Sequence, residues 1–424
     1  MFESLETRRH LSVTAADIHD TLYVWGDSGN NGISVEKSGV HLVVKEYQGA
    51  AGYQNIFQVL NSAVNSVRIY GYDGMDTIQV ANNVKKPTTI MGGRGADWMQ
   101  GGGGHNMIWG QGNWNDDPSG SHRPTTDDNA ADTFVTGTGP TTMYGQGGSD
   151  SFHMNNSAVA GSVYDYVYAG AGNDTIHING TRGGMLLGES GGDTFKVYNP
   201  STAFNIFGGS HGDTIDFSPL NVQIYATNDP TKDSGAFWGA DGERDLTINS
   251  DVETLIGTNL RDSLSSTNGA GNLFGRGGND ALYGNGGNDF IDGGDGNDSI
   301  WAGNDTDTVF AGAGNDTVWG GSGNDYLFGR DGNDVLYGEN GNDQLYGEAG
   351  GDHLYGQAGS NKLVGGSDSD YLVSKNGNWS DLVIGGNENG TGNTGAFDIA
   401  VVDRIFYQGV FKYDTFIGIE SVSF

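Results

Sequence analysis

Aspartate recurs at every ninth position in the second half of the chain, and this spacing is the strongest chemical signal in the sequence. From Gly275 to Val373 the chain divides into eleven consecutive nine-residue repeats without an insertion, and each approximates the template G-G-x-G-x-D-x-U-x, where U is aliphatic. Two weaker repeats in the same frame begin at Gly257. The sixth position holds Asn361 in one of the eleven repeats and aspartate in the others: Asp280, Asp289, Asp298, Asp307, Asp316, Asp325, Asp334, Asp343, Asp352 and Asp370.

The remaining positions of the repeat predict how these aspartates come together. One aliphatic residue at the eighth position fits a three-residue β-strand with a single side chain directed inward. Glycine at the first, second and fourth positions permits the positive φ angles of a tight turn. Two repeats therefore form one coil, and alternate repeats lie in two facing sheets whose strands stack about 4.8 Å apart. The aspartates then separate onto two edges, Asp280, Asp298, Asp316, Asp334, Asp352 and Asp370 on one and Asp289, Asp307, Asp325 and Asp343, followed by Asn361, on the other.

Carboxylates stacked in this way need a counter-charge. Neighbours roughly 5 Å apart on one edge repel each other by about 1–3 kcal/mol per pair, and glycine-rich turns lose much conformational entropy on folding. Calcium binds 6–8 oxygen ligands, which carboxylates and turn carbonyls supply. Five adjacent aspartate pairs on the first edge and three on the second predict about eight calcium sites. The alternative is that each aspartate only stabilises its own turn, but so many repeats in register favour the metal.

The repeats resemble the RTX, or haemolysin-type, calcium-binding nonapeptide, and the resemblance extends in frame from residue 257 to residue 373. It implies an all-β fold, a right-handed parallel β-roll or β-helix solenoid that folds when it binds Ca²⁺. It further implies a secreted or cell-surface protein with a structural or adhesive role. RTX proteins are commonly exported through a C-terminal signal, and the acidic and then apolar tail of this chain is similar to such signals.

The first half of the chain repeats the same turn at wider spacing. Turns that begin at Ala169, Gly188 and Gly208 are nineteen and twenty residues apart, and short apolar segments lie between them. This spacing predicts an irregular β-solenoid over residues 71–250 with coils of about twenty residues, in which one edge keeps the metal turn. Asp174, Asp193 and Asp213 are predicted to align along that edge and to bind a few calcium ions.

The two ends of the chain are predicted to differ from the solenoid. Residues 1–20 include Leu5, Glu6, Arg8, Leu11 and Ser12, a pattern that resembles the LExRxLLS stretch at the start of many planctomycete surface proteins and that implies export. Residues 21–70 alternate apolar and polar side chains and are predicted to form β-hairpins that cap the first coil. The main roll is predicted over residues 251–373, and residues 374–424 form a terminal strand cap and possible secretion signal.

Composition excludes several classes of partner and structure. Asp and Glu number 53 against 20 Lys and Arg, so the net charge of −33 argues against nucleic acid as a partner. The chain has 75 glycines and only 7 prolines, which does not fit collagen, and no cysteine for a disulfide or thiolate site. No stretch approaches 18 apolar residues, so no transmembrane segment is expected. An aromatic content of 11% together with the periodicity argues against disorder.

Aromatic residues occupy the ninth position of many repeats. On one predicted sheet they include Trp301, Trp319, Tyr337 and Tyr355, which should point outward and stack from coil to coil. Such ladders stabilise a sheet by roughly 0.2–1 kcal/mol per pair. The alternative is that the row binds a polysaccharide or a cell-surface partner, since exposed apolar surfaces often mark interfaces.

No catalytic centre is evident, and the protein is expected not to be an enzyme. Gly208 to Gly212 fits the G-x-S-x-G pattern of a hydrolase nucleophile, but it lies in a metal-type turn with no helix after it. The zinc motif H-E-x-x-H is absent. The alternative is a β-helix carbohydrate-active enzyme of the lyase or epimerase type that carries an RTX module, since RTX rolls often follow catalytic domains.

Overall fold

A computed structural model describes the chain in two compact units, Met1–Asp213 (unit 1) and Thr214–Phe424 (unit 2). The described residues are 13–48, 51–111, 129–155, 164–180, 183–198, 204–227, 235–238, 244–248, 252–374, 381–386, 399–401, 404–407, 410–413, 415–417 and 421–423. Within these ranges there is no α-helix, and the one helical turn is the 3₁₀ segment Asn61–Ala63. No helix in the described part of the chain has the length and apolar character to cross a membrane.

Unit 1 contains two sheets of parallel strands that alternate along the chain, preceded by antiparallel strands. β2, β6, β8, β10, β12, β14, β16 and β18 pair in one parallel ladder, and β3, β7, β9, β11, β13, β15 and β17 pair in the other. The strands are β1 (Thr14–Ile18), β2 (Thr21–Trp25), β3 (Gly32–Ser38), β4 (His41–Tyr47), β5 (Tyr53–Leu60), β6 (Ser66–Asp73), β7 (Thr77–Val80), β8 (Thr88–Arg94), β9 (Trp98–Gln100), β10 (Asn106–Trp109), β11 (Thr133–Val135), β12 (Thr141–Tyr144), β13 (Ser151–Met154), β14 (Asp165–Ala171), β15 (Thr175–Ile178), β16 (Gly184–Ser190), β17 (Thr194–Val197) and β18 (Phe204–Ser210).

The antiparallel strands at the start of unit 1 are the predicted hairpins, but they also belong to the solenoid. β1 pairs with β2, and β3, β4 and β5 form an antiparallel series. β2 and β3 additionally pair in parallel with β6 and β7, so the first coil begins inside the segment predicted to be only a cap. Residues 1–12, most of the predicted export segment, lie outside the described residues.

Unit 2 repeats the same architecture with more regular coils. β20, β24, β26, β28, β30, β32, β34, β36, β38 and β42 form one parallel ladder, and β19, β23, β25, β27, β29, β31, β33, β35, β37 and β41 form the other. The strands are β19 (Thr214–Asp216), β20 (Ile224–Thr227), β21 (Gly235–Trp238), β22 (Arg244–Ile248), β23 (Thr254–Ile256), β24 (Ser263–Ser265), β25 (Asn272–Phe274), β26 (Ala281–Tyr283), β27 (Phe290–Asp295), β28 (Ser299–Asn304), β29 (Thr308–Ala313), β30 (Thr317–Ser322), β31 (Tyr326–Asp331), β32 (Val335–Asn340), β33 (Gln344–Ala349), β34 (His353–Tyr355), β35 (Lys362–Ser367), β36 (Tyr371–Val373), β37 (Leu382–Ile384), β38 (Ile399–Val401), β39 (Arg404–Tyr407), β40 (Val410–Tyr413), β41 (Thr415–Ile417) and β42 (Ser421–Ser423).

Each coil of the main roll buries its aliphatic residue between two half-buried neighbours. In β29, Val309 is fully buried while Thr308 and Phe310 on either side are partly exposed. The same residue is fully buried in the strands above and below, where Ile291 and Leu327 pair with Val309. The period of two places one side chain per strand in the core, so a single coil buries too little to fold alone and depends on its neighbours. The parallel β-solenoid predicted from the repeats is confirmed.

The stack of parallel strands continues beyond the last recognisable repeat. β37, β38, β41 and β42 extend both sheets of unit 2 after Val373, and β39 and β40 form an antiparallel hairpin. Val383 and Ala400 fill the core positions of β37 and β38 and are fully buried. Strand pairing requires only a buried apolar residue and a matching register, so the coils persist where the nine-residue repeat ends.

Glycine at the fourth position of most repeats permits a close approach of successive turns. Gly332 has φ +140°, and a Cβ there would collide with the carbonyl oxygen of Gly314 in the preceding coil. At the third position the constraint disappears: a Cβ on Gly286 would lie 3.7 Å from its nearest neighbour, the carbonyl oxygen of Asn268. The turns therefore stack backbone against backbone, which brings carbonyl oxygens of consecutive coils close together.

Candidate metal centre

The aspartates of the main roll form two continuous hydrogen-bonded rows, and each member of a row is called a rung here. The main-chain N–H of every rung donates to Oδ1 of the rung one coil later, at 2.7–3.0 Å over the two edges. One edge contains Asp280, Asp298, Asp316, Asp334, Asp352 and Asp370, and the other contains Asp289, Asp307, Asp325, Asp343 and then Asn361. The structure therefore places all ten predicted aspartates on the edges expected from the eighteen-residue coil.

The second oxygen of these carboxylates is buried and lacks a hydrogen-bond donor. The aspartate rungs are only 0–3% exposed, although aspartate is seldom fully buried unless it is paired. Oδ2 has no hydrogen-bond partner in Asp76, Asp174, Asp193, Asp280, Asp289, Asp298, Asp307, Asp316, Asp325, Asp334, Asp343 and Asp352. A buried polar atom of this kind calls for an explanation such as an ion, and its recurrence at one position of successive coils points to a row of cations.

The surroundings of Oδ2 contain acceptors rather than donors. The space beside Gly275, where a Cβ would sit, is bordered by Oδ2 of Asp280 at 2.6 Å and by the carbonyl oxygen of Gly293. The space beside Gly284 is bordered in the same way by Oδ2 of Asp289, also at 2.6 Å, and by the carbonyl oxygen of Ala302. Oxygen atoms that converge without a proton between them suit a hard cation.

A cation on these edges must draw most of its ligands from the main chain. No cluster of three or more His, Cys, Asp or Glu side chains that would hold a metal occurs among the residues that the structure describes. Carboxylate oxygens of successive rungs together with turn carbonyls form an all-oxygen set, which calcium accepts in flexible geometry. Zinc, which prefers nitrogen and sulfur ligands, is disfavoured. The residues present thus fit calcium.

Burial raises the pKa of the rung carboxyl groups well above the ordinary aspartate value. For Asp280 and Asp289 burial, reinforced by the next carboxylate on the same edge, raises the pKa to about 8, and a main-chain hydrogen bond offsets the rise only in part. The pKa is raised chiefly by burial to about 7 in Asp174, Asp307, Asp316, Asp343 and Asp352, and to about 6 in Asp76, Asp298, Asp325 and Asp334. Without a cation the folded turns therefore favour protonated carboxyl groups.

One edge of unit 1 carries a row of the same kind among the residues that the structure describes. Asp174, Asp193 and Asp213, predicted to align, are joined by main-chain-to-Oδ1 bonds of 2.8 Å. The row extends further towards the N-terminus through four aspartates that were not among the predicted ligands, Asp76, Asp97, Asp132 and Asp150. Its rungs are 18–35 residues apart, so coils of about twenty residues describe only part of it.

The four aspartates of this row that the sequence analysis did not predict as ligands differ in how clearly the sequence marks them. Asp76, Asp97 and Asp150 end glycine-containing turns that are visible as single copies of the repeat. The turn before Asp132 contains no glycine, and its only signal is the following Thr133-Phe134, which matches Thr194-Phe195 after Asp193. Phe134 and Phe195 are both fully buried core residues. A search for aspartate followed by a β-branched and then an apolar residue would have found this rung.

Two further aspartates occupy rungs in unit 2. Asp262 precedes Asp280 on the first edge, and Asp381 follows Asn361 on the second. Asp262 differs from the main rungs because its Oδ2 accepts hydrogen bonds from the main-chain N–H and the hydroxyl of Thr258, at 2.6 and 2.9 Å. The protein itself therefore stabilises the charge of Asp262 by hydrogen bonds. This agrees with its repeat, which departs from the template in sequence.

The aromatic row predicted on one sheet is present and closely stacked. The ring centroids of Trp301 and Trp319 are 4.7 Å apart with planes 4° from parallel. Tyr337 stacks on Trp319 at 5.9 Å, and Tyr355 stacks on Tyr337 at 4.9 Å. Because the rings face one another along the stack, their edges rather than their faces point towards solvent.

The hydrolase-like sequence motif does not form a nucleophile elbow. Ser210 ends β18 and lies with His211 on an exposed turn, where its Oγ is 3.2 Å from Nδ1 of the adjacent His211. No helix follows, and the next aspartate along the chain, Asp213, belongs to the rung row. The serine therefore lacks the strand-to-helix setting that the motif needs for catalysis.

Comparison with known families identifies the repeats. The family model for the RTX calcium-binding nonapeptide repeat, described as four copies, matches residues 88–113, 154–179, 265–300, 283–318, 301–336, 319–353 and 337–372. No curated protein matches the chain. The chain thus carries RTX calcium-binding nonapeptide repeats in a β-solenoid, and it is a calcium-binding repeat protein. Asp76, Asp132, Asp150, Asp193 and Asp213 lie outside the matched residues, and the structure places them in one row with Asp97 and Asp174, which lie inside.

The raised carboxyl pKa values predict an inverted pH dependence for the metal-free protein. A folded pKa of about 6–8 exceeds the ordinary value near 4, so protonation stabilises the metal-free fold fully below pH of about 4, and this contribution is lost as pH rises through about 6–8. Calcium needs the ionised carboxylates, so the calcium-loaded protein should show the opposite trend. Circular dichroism of metal-stripped protein between pH 5 and 8 measures the effect.

Two variants make this pH test specific. Asp280→Asn with Asp289→Asn removes the two carboxyl groups whose pKa is raised by burial to about 8. The double variant should therefore lose less β-structure than wild type as pH rises above neutral. Substitution of the exposed Asp17 and Asp20 by asparagine changes the net charge equally and should leave the profile as it is. Greater β-structure at pH 8 than at pH 5 in the metal-stripped protein would contradict the prediction.

Proposed function

We propose that the protein is exported, folds outside the cell when it binds calcium, and acts as a non-enzymatic structural or adhesive component of the cell surface or its surroundings. The observation that carries this proposal is the row of buried Oδ2 atoms without donors on every edge that carries the repeat. RTX repeats are typical of secreted proteins, and extracellular calcium modules bind with Kd near 10⁻⁴–10⁻³ M. Such affinities leave the sites vacant at low calcium and filled at extracellular calcium.

The energetics favour folding that is coupled to calcium. A buried polar group left unsatisfied costs about 1–3 kcal/mol, and more when it is charged. The twelve such atoms found in the described residues would together cost about 12–36 kcal/mol, which is as large as or larger than the 5–15 kcal/mol that typically separates folded from unfolded protein. Protonation removes part of this cost only at lower pH. At neutral pH a cation that binds the folded turns and not the unfolded chain shifts the equilibrium towards the fold.

We assign the ions to the intervals between successive aspartate rungs. In the main roll this gives about eight calcium ions. In unit 1 the intervals from Asp174 to Asp213 are the best candidates, because Asp174 and Asp193 both have an Oδ2 without a donor. Asp76 is a further candidate on the same grounds.

Calcium titration of the full-length protein tests this proposal. Metal-stripped protein at pH 7.5–8 should show little β-structure and should gain it cooperatively as free calcium approaches the range of about 10⁻⁴–10⁻³ M. Asp316→Ala removes one rung from the first edge and should lower the bound calcium on that edge, while the second edge remains loaded. Circular dichroism and equilibrium dialysis measure the two effects.

A matched substitution separates loss of a rung from loss of charge. Asp331→Ala removes an exposed aspartate from the turn that carries Asp334 and should leave both calcium content and folding close to wild type. A protein that is fully folded after exhaustive chelation at pH 8 would overturn the proposal. So would equal calcium binding by wild type and Asp316→Ala.

The absence of enzymatic activity is part of the same proposal. The one motif suggestive of catalysis, at Ser210, lies on an exposed turn beside His211, and the buried aspartates are held in metal-type rows rather than in an isolated pair. Incubation of calcium-loaded protein with acidic polysaccharides should therefore yield neither unsaturated sugar products by ultraviolet absorbance nor epimerised sugars by NMR. Activity that depends on calcium would favour the lyase or epimerase alternative.

The aromatic row supports a contact surface as a second function. The two positions that flank the buried aliphatic residue in strands β26, β28, β30, β32, β34 and β36 carry no Asp, Glu, Lys or Arg, although the chain has a net charge of −33. An uncharged surface on so acidic a protein fits a neutral partner. Because the rings of Trp301 and Trp319 are stacked face to face, a sugar would meet ring edges and hydroxyl groups rather than lie flat on a ring.

Polysaccharide retention tests this surface. Trp301→Ala with Trp319→Ala should reduce retention on insoluble neutral polysaccharides in calcium, and should also lower stability by roughly 0.5–1.5 kcal/mol for each stacked pair lost. Phe310→Ala with Phe328→Ala removes a stacked pair from the other sheet, at 4.9 Å, and should lower stability without affecting retention. Equal retention by wild type and both variants would exclude this surface as the polysaccharide site.

A further inference from the structure

Two rungs carry asparagine in place of aspartate, and in both the side-chain amide points where the other rungs have Oδ2. Asn31 is the first rung of the row in unit 1 and is 2% exposed. Its main-chain N–H donates to Oδ1 of Asp76 at 2.7 Å, as an aspartate rung would. Its Nδ2 donates to the carbonyl oxygens of Gly29 at 2.5 Å and Asp27 at 3.3 Å. The amide thus satisfies carbonyls of its own turn.

Asn361 is placed in the same way on the second edge of unit 2. Its Oδ1 accepts the main-chain N–H of Asp343 at 2.8 Å, and its own N–H donates to Oδ1 of Asp381 at 2.7 Å. Its Nδ2 lies 3.5 Å from the carbonyl oxygen of Gln357, four residues earlier in the chain. The corresponding acceptor for Asn31 is Asp27, also four residues earlier. Both amides therefore face the same carbonyl of the turn.

The first-position glycine shows that Nδ2 and Oδ2 share one location. A Cβ on Gly338 would be 2.5 Å from Oδ2 of Asp343, and a Cβ on Gly356, one coil later, would be 2.9 Å from Nδ2 of Asn361. In unit 1 a Cβ on Gly26 would be 2.8 Å from Nδ2 of Asn31. The difference between the two kinds of rung is therefore chemical rather than positional: one presents a donor to the carbonyls and the other a further acceptor.

We propose that Asn31 and Asn361 are built-in substitutes for calcium, in which the side-chain amide makes the contacts to turn carbonyls that a cation makes at aspartate rungs. This inference rests on the proposed calcium sites. An amide N–H carries partial positive charge and donates two hydrogen bonds, so these turns are satisfied without metal and without a carboxylate to neutralise. Each forms a metal-independent turn: Asn31 at the head of its row, next to the hairpin strand β3, and Asn361 between Asp343 and Asp381.

The inference also identifies which turn carbonyls face the cation position. At Asn31 these carbonyls belong to the residues two and four positions before the rung. Asn106 lies on the other edge of unit 1, and its Nδ2 donates to the equivalent oxygens of Gly104 and Gly102 at 3.0 and 3.1 Å. The turns of Asn31 and Asn106 thus direct the same two carbonyls towards the amide nitrogen, and the turn of Asn361 directs the one that lies four residues before the rung. Conversion of the amide to a carboxylate should create a cation site from groups already in place.

Asn361→Asp in the full-length protein tests this proposal. The variant should bind about one more calcium ion per chain than wild type by equilibrium dialysis, and it should need a higher calcium concentration to fold because it has gained a buried carboxylate. Asn342→Asp is the matched control, since Asn342 is exposed and its Oδ1 accepts the N–H of Ser360 at 2.8 Å. This control adds the same charge at an exposed position of the preceding turn on the same edge, outside the rung position, and should leave the stoichiometry unchanged.

The reciprocal variant covers the case in which Asn361→Asp does not fold. Asp325→Asn should bind fewer calcium ions than wild type and fold at a lower calcium concentration, whereas Asp325→Ala should bind fewer ions and require more calcium. The proposal that an amide replaces the cation is wrong if folded Asn361→Asp binds no additional calcium. It is also wrong if Asp325→Asn needs as much calcium to fold as Asp325→Ala does. Wild-type protein that binds no calcium would instead overturn the proposed function itself.

Discussion

The bond from each main-chain N–H to the carboxylate oxygen of the rung one coil later is the interaction on which the rest of the molecule depends. It fixes the register between coils on the edges where turns stack. It also places one carboxylate per turn in a buried position, with its second oxygen directed at carbonyl groups. The same bond that orders the stack therefore creates a deficit of positive charge, which a cation between turns relieves.

The hydrophobic core is narrow, so its burial alone does not outweigh the cost of the buried, unneutralised carboxylates. Each strand of the main roll buries one aliphatic side chain, such as Val309 or Leu327, and its neighbours are half-exposed. Stacked rings such as Trp301 and Trp319 add to stability on the outside of the sheet, but both contributions are available only when neighbouring coils are already aligned. Alignment requires closely packed turns, and closely packed turns require their carboxylates to be neutralised. Core packing and cation binding are for this reason coupled.

Unit 1 shows how much irregularity this arrangement accepts. Its aspartate rungs are separated by 18, 24 or as many as 35 residues, yet Asp97, Asp132, Asp150 and Asp174 remain hydrogen-bonded in one row. Additional residues can leave the coil between strands because the cost of closing a longer loop grows only slowly with its length. What must be conserved in space is the position of the carboxylate and of the buried residue that follows it, not the length of the coil.

The regular half of the chain could be predicted from the sequence because every constraint on it is local and periodic. Glycine, aspartate and the aliphatic residue each recur at one position of the repeat, so the strand, the turn and the two edges with all ten aspartates follow from spacing alone. The first half is less predictable. Asp132 follows a turn without glycine, and its rung becomes recognisable only when Phe134 is seen in the core and Asp150 is seen one coil later.

Tertiary structure alone decided the features that depend on which atom faces which. The sequence by itself determined the solenoid and its acidic edges, since a period of nine is a property of the chain. It did not distinguish Asn361, whose amide satisfies its turn, from a defective aspartate, nor Asp262, whose charge Thr258 solvates. It also did not show that β37 and β38 continue the stack, or that the aromatic rings turn their faces to each other. These outcomes depend on distances between atoms of different coils. Such distances cannot be read from the order of residues and are set only when the coils stack.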